Sequence, residues 1–142
     1  MGAFFGLTTM TTEGDLCRAV MEGTGYALRE SIERLTLIGY TVKEISANGG
    51  PTNSALWNQI TADIIHLPLV VSNISAGAAY GAAILAGIGS GLFSAEDPFA
   101  SLPSLLKITQ RFEPSSKFRR VYDQTYPQFQ RLAASTVGAY QR

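Results

Sequence analysis

The residues best placed for chemistry lie in one stretch, EISANGGPTNSALWNQITADI, residues 44–64. A short apolar run enters Gly49-Gly50-Pro51, passes the small polar residues Thr52, Asn53 and Ser54, and continues as an amphipathic pattern. Glycines at a strand end let backbone come close to a ligand, because no Cβ stands in the way. A helix that starts just after them presents unpaired N–H groups and the positive end of its dipole, which suits phosphate oxygens. Ser54, at the cap or in the first turn, is placed to hydrogen-bond the helix end or such a ligand. The pattern is not a Walker loop, since no lysine follows the glycines, and it is not the three-glycine dinucleotide fingerprint. A plain strand-to-helix turn with a Ser/Asn cap would read the same way, and the residues alone leave both readings open.

Other reactive side chains are better explained by structure. Asp63 lies in the amphipathic run well beyond the glycines, where a lone acid caps or pairs. Glu22 follows Arg18 by four residues, the spacing of a helical ion pair, with a hinge or nucleotide role as the alternative. His66 is the single histidine, so no histidine cluster exists for zinc, and an exposed helix end suits it. Cys17 has no histidine near it in sequence to make a thiolate nucleophile. Trp57 reads as core packing, with adenine stacking as the alternative.

These residues belong to a chain of 142 with 11 basic and 11 acidic side chains. That balance gives no electrostatic footprint for nucleic acid. One cysteine cannot form an internal disulfide, which fits a reducing, cytoplasmic compartment. Met1–Met10 lacks the basic start and apolar centre of a signal peptide. The uncharged stretch Leu67–Ala95 contains Gly77-x-x-x-Gly81, a small-residue motif of membrane helices. However, it is rich in Gly, Ala and Ser, is broken by Pro68 and Ser72-Asn73, and has no basic flank. A buried helix is the expectation, not a membrane span.

The elements that would position the glycine turn can be traced by periodicity. Gly2–Thr8 reads as a short strand or an extended entry. Thr12 then caps a long helix, with Leu16, Val20, Gly23 and Ala27 recurring at spacings of three and four, followed by Leu28, Ile32 and Leu35, and an end near Gly39. Val42–Ala47 reads as a strand, Ser54–His66 as a helix, and Pro68–Val71 as a strand buried on both faces. Residues 76–88 form a third helix, whose Gly/Ala face invites a close partner. After Asp97-Pro98, SLPSLLKITQRFEP suggests a short helix and an extended piece. A helix over 115–142 should be kinked or divided at Pro127. The order is α/β, with a small parallel or mixed sheet flanked by helices.

Three pieces in order, GAFFGLTTMTTEGDLCRAVMEGTGYALRESIERL, NGGPTNSALWNQITADIIHLPLVV and AAYGAAILAGIG, resemble the C-terminal half of the FGGY carbohydrate kinases. That family includes xylulose, ribulose, gluconate and glycerol kinases. The tail RFEPSSKFRRVYDQTYPQFQRL resembles the family's closing helix, giving one domain over 1–142 with a closing segment at 111–142. The resemblance implies a ribonuclease-H-like fold of the actin/hexokinase superfamily, here incomplete at its N-terminal side. It implies an ATP-dependent kinase, xylulose kinase-like, that phosphorylates a sugar hydroxyl.

Family nucleotide contacts map onto Gly50 and Ser54 most directly, with Gly49 and Asn53 beside them. Pro51 departs from the family's small residue there and has no N–H to offer. The family's catalytic aspartate, its Mg2+ ligands and nearly all its sugar contacts are expected outside this chain. Alone it should be inactive, and its uncovered Gly/Ala helix should let copies associate as a homodimer. The competing reading is a non-enzymatic, actin/Hsp70-like nucleotide-binding or scaffold module.

Overall fold

The computed structural model describes residues 2–74, 77–94 and 107–140. Its first helix, α1 (Glu13–Leu37), starts where Thr12 and Asp15 bond each other's backbone N–H, at 3.2 and 2.9 Å. That reciprocal cap satisfies two donors that a helix start leaves orphaned. The helix stops at Gly39, which adopts φ +93°, a region open to glycine. There the N–H groups of Gly39 and Tyr40 return to the carbonyls of Thr36 and Leu35, so the last turn is closed by a glycine cap.

After α1 come β1 (Ile45–Ala47), a 3₁₀ turn (Gly50–Asn53), α2 (Ala55–Ile65), β2 (Leu69–Ser72), α3 (Gly77–Gly89), β3 (Ile108–Phe112) and α4 (Ser116–Tyr140). The sheet runs β1-β2-β3. β1 pairs parallel to β2, with Ile45 opposite Leu69, and β2 pairs antiparallel to β3, with Leu69 opposite Phe112. The sheet is therefore mixed.

Helix α2 is the centre of the molecule. Asn58 and Ile60 through Ile65 are all buried. One side of α2 packs Ile60 and Ile64 against Tyr26 of α1 and Tyr122 and Tyr126 of α4, flanked by Met21 and Phe129. Its other side sets Ala62 against Leu69 and Val71 of β2. Where α1 crosses α2, Gly25 faces Ile64, and a Cβ on Gly25 would come within 2.9 Å of the Ile64 Cδ1. Any side chain at Gly25 would force Ile64 to shift.

Several expectations change. Of the two readings of Gly2–Thr8, the strand is not made: the entry is irregular, with Gly6 at φ +76° and a turn from Thr8 to Thr11. The strand expected over Val42–Ala47 shortens to three residues, the stretch that β2 can pair. Helix α4 is one helix through Pro127 and is not divided. Pro127 is exposed, and its missing N–H costs the helix one bond to a carbonyl one turn earlier. The short helix expected near 101–106, the Asp97-Pro98 turn and residue 76 lie outside the described residues. On α3, Ala78, Ala79, Ala82, Ala83, Leu85 and Ala86 are exposed, while Gly77 abuts the Asn48 side chain. No helix among the described residues is long and apolar enough to cross a membrane.

Candidate nucleotide site

The glycine turn joins the parallel strand β1 to the central helix α2. Gly49 adopts φ +91° and ψ −174°, a conformation closed to other residues without strain. A 3₁₀ turn, absent from the sequence reading, separates the glycines from α2. Within it the N–H of Thr52 donates to the Gly49 carbonyl and that of Ser54 to the Pro51 carbonyl, each at 3.1 Å. Pro51 has no N–H. Among the described residues, the N–H of Gly50 meets no acceptor. Gly50 is exposed, and a Cβ built on it would touch nothing within 4 Å. The turn thus leaves one backbone donor and open space at Gly50, the position the sequence singled out.

Ser54 is the N-cap of α2, its Oγ accepting the Trp57 N–H at 3.3 Å. That bond does not use the Ser54 hydroxyl proton, and the N–H groups of Ala55 and Leu56 have no carbonyl within the helix. Asn53 is exposed at the end of the 3₁₀ turn. Gly49, Gly50, Asn53 and Ser54 therefore lie on one continuous turn at the head of α2.

The turn is braced from beneath, which sequence reasoning missed. The Thr52 hydroxyl donates to the Gly49 carbonyl at 2.6 Å. The side chain of Asn58, 3% exposed, donates to the Thr52 carbonyl at 2.9 Å. A polar residue six positions beyond Thr52 in a helical pattern looks solvent-facing until α2 is known to be buried.

The remaining polar residues serve packing. Asp63 is 2% exposed and accepts from Gln59 Nε2 at 2.8 Å and from the Ser115 N–H at 2.7 Å, tying α2 to the start of α4. Glu22 pairs with Arg18 at 2.8 Å, as the spacing suggested. Trp57, half-buried, donates from its indole N–H to the Thr24 hydroxyl at 3.2 Å, so it joins α2 to α1. Cys17 is exposed.

His66 departs from expectation. It closes α2 in the left-handed region, φ +57°, and is half-buried, not free at an exposed end. Its Nε2 lies 2.8 Å from the Asp123 carboxylate. Arg29, spread over the Tyr126 ring at 4.3 Å, donates to the same carboxylate at 2.8 Å. The hydrogen bond from His66, helped by Arg29, holds the Asp123 carboxyl below its ordinary value. Burial, helped by the hydrogen bond to Glu33, pushes the Tyr126 phenol up to about 12. This network locks α4 onto α1 and α2, away from the glycine turn.

Mg2+ has no ligand set in the turn. From Ile45 through Ala62 there is no carboxylate, and Glu44 before them is paired with Arg111. Among the described residues no three His, Cys, Asp or Glu side chains come together. The turn offers dipoles to phosphate and nothing hard and anionic to a cation.

The geometry of a β-strand, a glycine turn and a capped central helix can be set against known proteins. Residues 1–90 match the FGGY family of carbohydrate kinases, C-terminal domain. The chain belongs to the FGGY family of carbohydrate kinases. A xylulose kinase from Staphylococcus epidermidis is 31% identical over 95% of this chain and 27% of its own length. The crystal structure of xylulose kinase from Rhodospirillum rubrum superposes with a TM-score of 0.79 at 31% identity, over 99% of this chain and 28% of that one. A Plasmodium falciparum glycerol kinase solved with ADP superposes at 0.69 and 25% identity, over 94% of this chain and 26% of that one. The FGGY fold is the actin/hexokinase-like one, and the chain spans roughly a quarter of the length of the relatives it matches.

Proposed function

We propose that this chain is the ATP-binding C-terminal part of a sugar kinase and that residues 49–54 receive the nucleotide's phosphates. One observation carries the reading: in a member of a carbohydrate kinase family, Gly50 leaves an N–H and a space that no other described residue fills, at the head of a capped helix. Phosphoryl transfer needs positioning and charge stabilisation more than covalent help from protein. In that division of labour Gly50, Ser54 and the α2 N-terminus orient phosphate oxygens, with Gly49 and Asn53 shaping the same turn. The base that takes the sugar hydroxyl's proton, the Mg2+ ligands and the sugar contacts are assigned to the rest of the kinase, in the cytoplasm. Xylulose is the proposed substrate, because relatives at 31% identity are xylulose kinases.

Titration of the isotope-labelled chain with ATP, followed by amide chemical shifts, tests the nucleotide assignment directly. Saturable shifts centred on Gly49–Ala55 are expected, at millimolar affinity because most phosphate contacts are elsewhere. Shifts that are absent there, or centred on another face, would overturn it.

A further inference from the structure

We infer that Asn58 and Thr52, neither of which faces the proposed phosphate path, are the positioning residues that hold the glycine turn in its nucleotide-ready shape. The inference rests on the nucleotide reading above and names what controls that site.

The chain of contacts is short. Asn58 lies on the first turn of α2, its backbone N–H bonded to the Ser54 carbonyl at 3.0 Å and its side chain buried. The amide Nδ2 donates to the Thr52 carbonyl at 2.9 Å. Thr52 in turn clamps Gly49 twice, its backbone N–H and its hydroxyl both donating to the Gly49 carbonyl, at 3.1 and 2.6 Å. Orienting that carbonyl fixes the plane of the Gly49–Gly50 peptide, because its C=O and the Gly50 N–H share one rigid unit. The direction of the free Gly50 donor is therefore set by a hydrogen-bonded relay that starts in the core at Asn58. A buried amide left without its partner is costly, so α2 cannot keep its packing and release the turn cheaply.

The relay also accounts for the composition of the turn. Pro51 removes an N–H that could compete for the Gly49 carbonyl, and it presets φ in the 3₁₀ turn. Gly49 alone can take φ +91° while its carbonyl points back at Thr52.

Three substitutions separate the relay from simple packing. Thr52→Val keeps the shape and removes the hydroxyl, Thr52→Ser keeps the hydroxyl, and Asn58→Asp is isosteric but replaces the donor with an acceptor. In the ligand-free chain, Thr52→Val and Asn58→Asp should move the Gly49 and Gly50 amide signals, and Thr52→Ser should leave them near wild type. In ATP titrations, Thr52→Val should weaken binding roughly three- to tenfold, the effect of one lost hydrogen bond, and Thr52→Ser should restore it. If burying a carboxylate unfolds Asn58→Asp, the Thr52 pair decides alone. Folded Thr52→Val protein with unmoved Gly49 and Gly50 amides would overturn the relay. Moved amides with unchanged ATP affinity would overturn its positioning role. Wild-type protein without ATP-induced shifts would overturn the nucleotide reading and with it that role, while the ligand-free spectra would still decide the relay.

Discussion

At the residue scale, Gly50 separates function from stability. Apart from its chain neighbours, its Cβ direction is empty and its φ is not positive, so a side chain there meets no other part of the fold. Gly50→Val should therefore lower the melting temperature of this chain only by the local cost of a branched residue before Pro51. On the proposed nucleotide reading, a full-length kinase of the family carrying this segment should show a raised apparent KM for ATP with the branched side chain and a nearly unmoved KM for sugar. Steady-state kinetics at saturating sugar check this, and an unchanged ATP KM would reduce the glycines to a turn. Ser54→Ala should act in the same direction and more mildly, by roughly 0.5–1.5 kcal/mol. It should also cost some stability, because Ser54 caps α2 through the Trp57 N–H.

At the scale of elements, α2 is held by a steric fit on one helix and a charged clamp on another. The fit is Gly25 against Ile64, which is fully buried. Gly25→Ala gains about 1 kcal/mol of helix propensity. It forces its methyl group against Ile64 Cδ1, and overpacking of this kind costs about 1–3 kcal/mol. Urea denaturation should show net loss. Ile64→Val deletes that Cδ1, so the double variant should be more stable than the sum of the two single changes predicts. Additive effects would mean that the crossing tolerates the methyl group without contact.

The clamp is Asp123 of α4 between Arg29 and His66. Asp123 titrates below its ordinary value when folded, so as pH falls the unfolded chain takes up the proton first. The clamp's contribution is therefore present above about pH 4, near the unfolded carboxyl's value, and is lost as pH falls through the folded value. Thermal melts of wild type and Asp123→Asn from pH 7 to pH 2 should show wild type ahead at neutral pH and the gap closing in acid. A gap that is constant across that range would place the stabilisation elsewhere. Because Asp123 is well exposed, solvent screening keeps the effect modest.

At the scale of the molecule, a chain spanning about a quarter of its relatives' length carries the turn proposed for phosphate, with no carboxylate between Ile45 and Ala62. Transfer from ATP to a sugar hydroxyl requires both reactants to be held in line. The 142-residue chain alone should therefore show only background ADP release with xylulose, ribulose, gluconate or glycerol in a coupled assay. Turnover above background with any of these sugars would mean that the remaining machinery is not needed.

What the sequence determined by itself was local. Thr12 with Asp15, Gly39 past the last apolar residue, and the unbroken apolar run before Ser72 mark the ends of α1 and the buried strand β2, because caps and periodicity act over a few residues. The family was legible too, from the glycine turn and the small-residue helix taken together. Tertiary structure decided everything that depends on what lies across a gap. Gly2–Thr8 has the composition of a strand, but a strand needs a neighbour to pair with, and it has none among the described residues. Asn58 and His66 look like surface residues until α1, α4 and the sheet enclose α2. Only then do the buried amide brace the glycine turn and the histidine meet Asp123, because a polar side chain taken from water must find its partner within the fold.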